Sequence, residues 1–189
     1  MVYRVIGLLV VFFIACASMA EEKSERTETL EVGLAAPDFS LQDAEDQTHA
    51  LKEMQGTIVL LIMGNRKIRK EDDRWAEAFE KDFGERDDVV GYIVADMRSV
   101  PAFVPKGFIK RQLKKNQPPV TLLLDWGGKT HQAYHTTSEM PNLYVIDAEG
   151  KLVFQAKSNF DEKVYHDIKN TIERVREHQT KAQAEGEDE

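Results

Sequence analysis

Gly56-Thr57-Ile58-Val59-Leu60-Leu61-Ile62-Met63 is the stretch on which the fold turns. Behind a turn glycine it runs β-branched and aliphatic without a break. A strand with one face in water alternates apolar and polar residues; this one does not, so it reads as a central strand covered by helices on both faces. Downstream, Trp75, Phe79 and Phe83 recur at i, i+4 and i+8, which predicts a helix over Asp72 to Phe83 with Gly84 as its stop. Val89 to Ala95 reads as a second buried strand. Phe108 to Lys115 reads as a helix ended by Pro118-Pro119, and Val120 to Leu124 as a third strand. Asn142 to Ile146 and Leu152 to Gln155 flank Asp147-Ala148-Glu149-Gly150-Lys151, a hairpin. A last helix is predicted from near Asn159, which could cap it with Glu162 three residues on; its stripe is Val164, Ile168, Ile172 (or Thr171) and Val175. This order predicts an α/β fold with a mixed sheet.

The N-terminus has a different character. Arg4 supplies a basic n-region, Val5 to Ile14 an apolar h-region, and Ser18-Met19-Ala20 a small-residue cleavage site, so residues 1–20 read as a secretory signal. The apolar run is shorter than the about 20 residues of a membrane span. Phe13-Ile14-Ala15-Cys16 also resembles a lipobox with Phe13 in the usual Leu position, so cleavage after Ala20 and lipidation at Cys16 both stand. Residues 21–31 read as a charged linker, 32–178 as one domain, and 179–189 as a disordered acidic tail. The formal charge is −8, and removing Arg4 with the signal makes it −9, which argues against general nucleic-acid binding. Cys16 is the only cysteine of the chain. The folded domain therefore has no thiol and no disulfide.

Val32-Gly33-Leu34-Ala35-Ala36-Pro37-Asp38-Phe39-Ser40-Leu41 resembles the opening of thioredoxin-like redoxins and peroxiredoxins of the AhpC/TSA type. In that superfamily an APDFxL hairpin precedes a Leu, a Gly and a buried strand, here Leu51, Gly56 and Ile58 to Met63. Met140-Pro141-Asn142-Leu143-Tyr144-Val145-Ile146-Asp147 is similar to its cis-proline strand, with Pro141 as the proline. The resemblance covers roughly Val32 to Val175. It implies a thioredoxin-like fold, a central mixed sheet flanked by helices with an N-terminal β-hairpin extension. It also implies a catalytic cysteine at the start of the first helix, where the helix N-terminus lowers a thiol pKa. Here that segment is Gly64-Asn65-Arg66-Lys67-Ile68-Arg69-Lys70, with no Cys, Ser or Thr. Thiol exchange and cysteine peroxidase chemistry lose their nucleophile.

What remains is a candidate binding surface around the former active site: Asn65, Arg66, Lys67 and Arg69, with Met140 and Pro141 facing them. A second basic stretch, Arg98, Lys106, Lys110, Arg111, Lys114 and Lys115, contains no acid between Met97 and Leu124 and could share that face or be a solvated helix surface. His131 and His135 are spaced as metal ligands on one helix face, but no third ligand is evident, so they read first as surface histidines. Asp125-Trp126-Gly127-Gly128-Lys129 reads as a turn, and no cofactor motif, paired-carboxylate site or phosphate-cradling loop is present. The expected function is an exported non-redox binding or adaptor module, periplasmic or secreted, or lipid-anchored through Cys16. Its partner is a protein, a peptide or an anionic ligand, with membrane contact only if Cys16 is lipidated. The alternative is a divergent redoxin-type oxidoreductase or peroxidase that borrows a partner's thiol or a metal on His131 and His135.

Overall fold

The computed structural model describes residues 30–186; the stretch read as a signal, most of the stretch read as a linker and Cys16 lie outside them. The elements run β1 (Ser40–Gln42), β2 (Thr48–Ala50), a 3-10 turn at Leu51–Glu53, β3 (Ile58–Asn65), α1 (Arg69–Phe83), β4 (Val89–Asp96), α2 (Lys106–Lys115), β5 (Thr121–Asp125), α3 (Lys129–Ala133), β6 (Asn142–Ile146), β7 (Leu152–Lys157) and α4 (Glu162–Gly186). They form one mixed sheet in the order β2-β1-β5-β4-β3-β6-β7. β3 pairs parallel with β4, Ile58 to Asn65 against Val89 to Asp96, and antiparallel with β6. The apolar run thus sits inside the sheet, with Ile58 to Met63 essentially fully buried.

Its two faces feed two cores. Ile58, Leu60 and Ile62 pack with Trp75, Phe79 and Phe83 of α1 and Tyr165, Ile168 and Ile172 of α4. Burying each large side chain of that stripe contributes roughly 1.5–3 kcal/mol. Val59, Leu61 and Met63 meet Tyr92, Leu123, Tyr134, Tyr144 and the N-terminal Phe39 and Leu51. The β1-β2 hairpin extends the sheet by pairing Gln42 with Leu124 of β5. The β3-α1-β4 and β4-α2-β5 crossovers step across the sheet in one direction, so their common handedness sets α1 and α2 on one face. α2 has no fully buried residue. It stands off from the sheet.

The structure adds to or corrects the sequence reading at four points. First, α4 is not capped by Asn159: Asp161 Oδ1 accepts the N–H groups of Lys163 and Val164, both at 3.0 Å, so the cap lies one residue before Glu162. Second, α4 continues to Gly186 instead of yielding to a tail at 179, because Gln, Lys, Ala and Glu are good helix formers even without an apolar stripe. Third, a short helix, α3, follows the Gly127-Gly128 turn; Gly128 at φ +69° opens it in a backbone region that glycine adopts without steric cost. Fourth, Met140–Pro141 is trans, since no peptide bond among the described residues is cis. Asn142 anchors the loop. Its Nδ2 lies 3.1 Å from the Met140 carbonyl and 2.9 Å from that of Thr137, while Oδ1 accepts the Thr137 N–H at 2.9 Å.

Candidate functional site

The C-terminal end of β3 and the start of α1 make the floor of the site. Asn65 closes the turn by accepting the Lys67 N–H on Oδ1 at 2.9 Å. Its Nδ2 donates to the Ser138 carbonyl at 2.9 Å, tying the helix entrance to the loop before β6. Arg66 and Lys67 point to solvent. Arg69 does not: Nη2 donates to the Asn116 carbonyl beyond α2 at 2.7 Å, and Nε lies 3.5 Å from Asp73 Oδ2. Arg69 therefore links α1 to α2. Pro141 is buried and its carbonyl accepts the Ser158 N–H at 3.1 Å, while Met140 is half-buried. The structure brings Asn65 to the 136–139 loop, and the Met140 and Pro141 carbonyls are already engaged by Asn142 and Ser158.

Gly64, the last fully buried residue of β3, is flanked by two ionisable groups: Asp72, which sequence reasoning missed, and His131, which it placed on the surface. On the α1 face the Asp72 carboxyl closes on it so tightly that a Cβ at position 64 would fall 2.1 Å from Asp72 Oδ2. Asp72 is 3% exposed, and its Oδ1 has no hydrogen-bond partner. Burial, then the charges of Asp73 and Glu71, push its pKa up to about 8. On the other face His131 Nε2 lies 3.2 Å from the Gly64 carbonyl, and Nδ1 lies 3.0 Å from Asp125 Oδ2. Asp125 also accepts the His131 backbone N–H at 3.0 Å. Burial acts to raise the Asp125 pKa, but the hydrogen bonds and charge of His131 outweigh it and hold the carboxyl below its usual range.

These contacts decide the histidine question. α3 ends in a Schellman turn: Thr136 N–H donates to the His131 carbonyl and His135 N–H to that of Gln132, both at 3.1 Å, with His135 at φ +48°. That left-handed residue turns off the helix face, so His131 and His135 are not a ligand pair on one helix. His131 is no surface histidine either; it is 3% exposed. Among the described residues no group of three side chains could hold a metal ion.

Asp96 and Arg98 complete the rim. Arg98 Nη2 donates to Asp96 Oδ2 at 2.6 Å and Nε to Oδ1 at 3.0 Å; this hydrogen bonding, opposed by burial, lowers the Asp96 pKa. A polar groove of about 340 Å³ runs between this pair, Asn65, His131 and the 136–139 loop. Parts of the second basic stretch are committed elsewhere: Lys110 pairs with Asp46, Lys114 with Glu45 at 2.6 Å, and Lys106 lies 4.9 Å over the Trp126 ring. The arrangement offers hydrogen bonds and charge. It offers no thiol: the hydroxyls of Thr136, Thr137 and Ser138 line the groove, and the two ring nitrogens of His131 already contact Asp125 Oδ2 and the Gly64 carbonyl.

Residues 32–155 match the AhpC/TSA family. Similar solved structures include a protein described as the thiol:disulfide interchange protein DsbE from Chlorobium tepidum. It has a TM-score of 0.62 and 19% identity, over 78% of this chain and 99% of that one. The exposed lipoprotein thioredoxin of Streptococcus pneumoniae matches with a TM-score of 0.54 and 22% identity, over 75% of this chain and 99% of that one. A peroxiredoxin-like protein from Aquifex aeolicus matches with a TM-score of 0.56 and 15% identity, over 76% and 89%. At these identities the likeness is one of fold. No curated protein matches the sequence significantly.

Proposed function

Because the chain belongs to the AhpC/TSA family yet carries its only cysteine at position 16, ahead of the matched domain, we propose that it is a non-redox binding or adaptor module of the cell envelope. The observation that carries this reading is the turn between β3 and α1. Where the family chemistry needs a thiolate, Asn65 instead pins the neighbouring loop and Arg66 and Lys67 stand exposed. The groove beside them keeps the position of an active site and loses its reagent. Its exposed cations suit an acidic protein segment or an anionic ligand, held by charge and hydrogen bonds to the groove walls. Strand addition at Pro141 is not part of this reading, because the Met140 and Pro141 carbonyls are already taken.

Export is supported by the signal-like residues 1–20 and by the presence of an exposed lipoprotein among the structural relatives. No helix of the described residues is long and apolar enough to cross a membrane. The test is capture from the native envelope fraction by the immobilised protein and by an Arg66→Glu/Lys67→Glu variant, each at low and high salt. A partner held by wild type, lost by the variant and released by salt supports the reading, since exposed charges are screened over roughly 8–10 Å at physiological ionic strength. Partners captured equally by both proteins at every salt concentration would overturn it.

A further inference from the structure

A second feature lies beneath that surface. Between the stand-off helix α2 and the sheet is a cavity of about 210 Å³, walled by apolar residues including Ile93, Ala95, Val100, Ile109, Leu113 and Leu122. The first turn of α1 lines it with Asp72 and Asp73. Each has a buried Oδ1 without a hydrogen-bond partner. A buried, unsatisfied carboxyl oxygen costs on the order of 1–3 kcal/mol or more, so a folded protein rarely keeps one without a use. Gly64 lets the Asp72 carboxyl occupy this position, because any Cβ there would collide with it.

We propose that this cavity binds a small alkylammonium, with the apolar body against the β4, β5 and α2 side chains and the charged head on Asp72 and Asp73. Apolar walls exclude a hydrated inorganic ion, which would lose its water without replacement. Two carboxyl oxygens without partners lie there, and once Asp72 is ionised they select a donor. Asp73 already shares Oδ2 with Arg69, so Asp72 supplies the net charge that receives the ligand. The charged residues around it are Glu71 and Asp73 and Arg69 from α1, Arg66 from the preceding turn, and Asp96 from β4; the α2 residues of the wall are uncharged. An ammonium relieves the repulsion among Glu71, Asp72 and Asp73. The inference does not depend on the envelope-partner reading, and the variants below leave Arg66 and Lys67 intact.

The test is a titration of the isotopically labelled protein, followed by amide NMR, with three probes of matched size: pentylammonium, 1-pentanol and pentanoate. Saturable shifts at Asp72, Asp73, Ala95 and Leu113 are expected with pentylammonium. The alcohol should bind about tenfold or more weakly, the difference between a neutral and a charge-assisted contact, and pentanoate not at all. Asp72→Asn should reduce pentylammonium affinity by about tenfold and leave the alcohol unchanged; Leu113→Trp, which fills the cavity, should abolish both. Pentylammonium affinity should also climb about tenfold per pH unit towards pH 8 and level off above it, because the ligand needs the ionised Asp72. Equal binding of ammonium and alcohol, preference for pentanoate, an unaffected Asp72→Asn variant, or no saturable shift would each overturn the proposal.

Discussion

Replacing Asp72 by Asn removes one buried titration and keeps its shape. In the folded protein the carboxyl is pushed from 3.8 up to about 8. Its protonated form is favoured by folding, so its contribution to stability is fully present below the unfolded pKa and is lost as pH rises through the folded one. The whole interval corresponds to on the order of 5 kcal/mol, at about 1.4 kcal/mol per pH unit. Between pH 5 and pH 7 the wild type should therefore lose about 2–3 kcal/mol relative to Asp72→Asn. The other shifted carboxylates, Asp43, Glu71, Asp82, Asp96, Asp125 and Glu149, are all lowered, so they titrate below this window. Any constant cost of the buried amide cancels in the comparison. Urea unfolding at half-unit steps from pH 5 to pH 8 reads the difference directly. Trp75 is a suitable reporter, being fully buried with Nε1 donating to the Ser158 carbonyl at 3.2 Å. Parallel stability profiles for the two proteins would show that Asp72 is solvated, and the role given to it in the cavity beside α1 would fall with it.

Asn142→Ala strips the 136–140 loop of its anchor and leaves the Met63 carbonyl, within 3.2 Å of Nδ2, without that partner; a loss of about 2–3 kcal/mol is expected by urea unfolding. Asp125→Ala removes the partner of the buried His131 ring and of its backbone N–H and should cost about 1–3 kcal/mol at pH 7. Because folding lowers the Asp125 pKa, that difference should shrink as pH falls through the folded value, which a stability series below pH 4 would record. Arg66→Ala should change thermal stability by no more than about 0.5 kcal/mol, whereas Arg69→Ala should cost more, since it releases the Asn116 carbonyl; equal effects would refute the distinction between them.

How far the fold could be read from the chain follows from which forces were at work. β3 was legible because burial on both faces leaves no polar residue from Ile58 to Met63. The stripe Trp75, Phe79 and Phe83 was legible for the same reason. The caps were harder: Asn159 and Asp161 are both good N-cap residues, and only the entry angle of the chain selects Asp161. α3 is a five-residue helix, too short for apolar periodicity to register. The Met140–Pro141 bond takes the trans form that an X-Pro bond prefers by about 0.5–1 kcal/mol, where the family resemblance had implied cis. The site was half legible. A missing cysteine is visible in sequence, and so is the basic turn that replaces it. Asp72 carried a signal that went unread, since it lies three residues before Trp75 on the buried stripe, where an acid is out of place. Asp125 and His131 carried less, being six residues apart across a glycine turn and joined only by the fold.

Insulin reduction in the presence of dithiothreitol and hydrogen peroxide consumption, measured on the chain from Glu21 onward with its metal content determined, test the loss of thiol chemistry most directly. Rates indistinguishable from buffer are expected in both, with or without added divalent metal. Catalytic turnover in either assay, above all turnover that tracks stoichiometric metal, would contradict a binding module and restore the oxidoreductase reading.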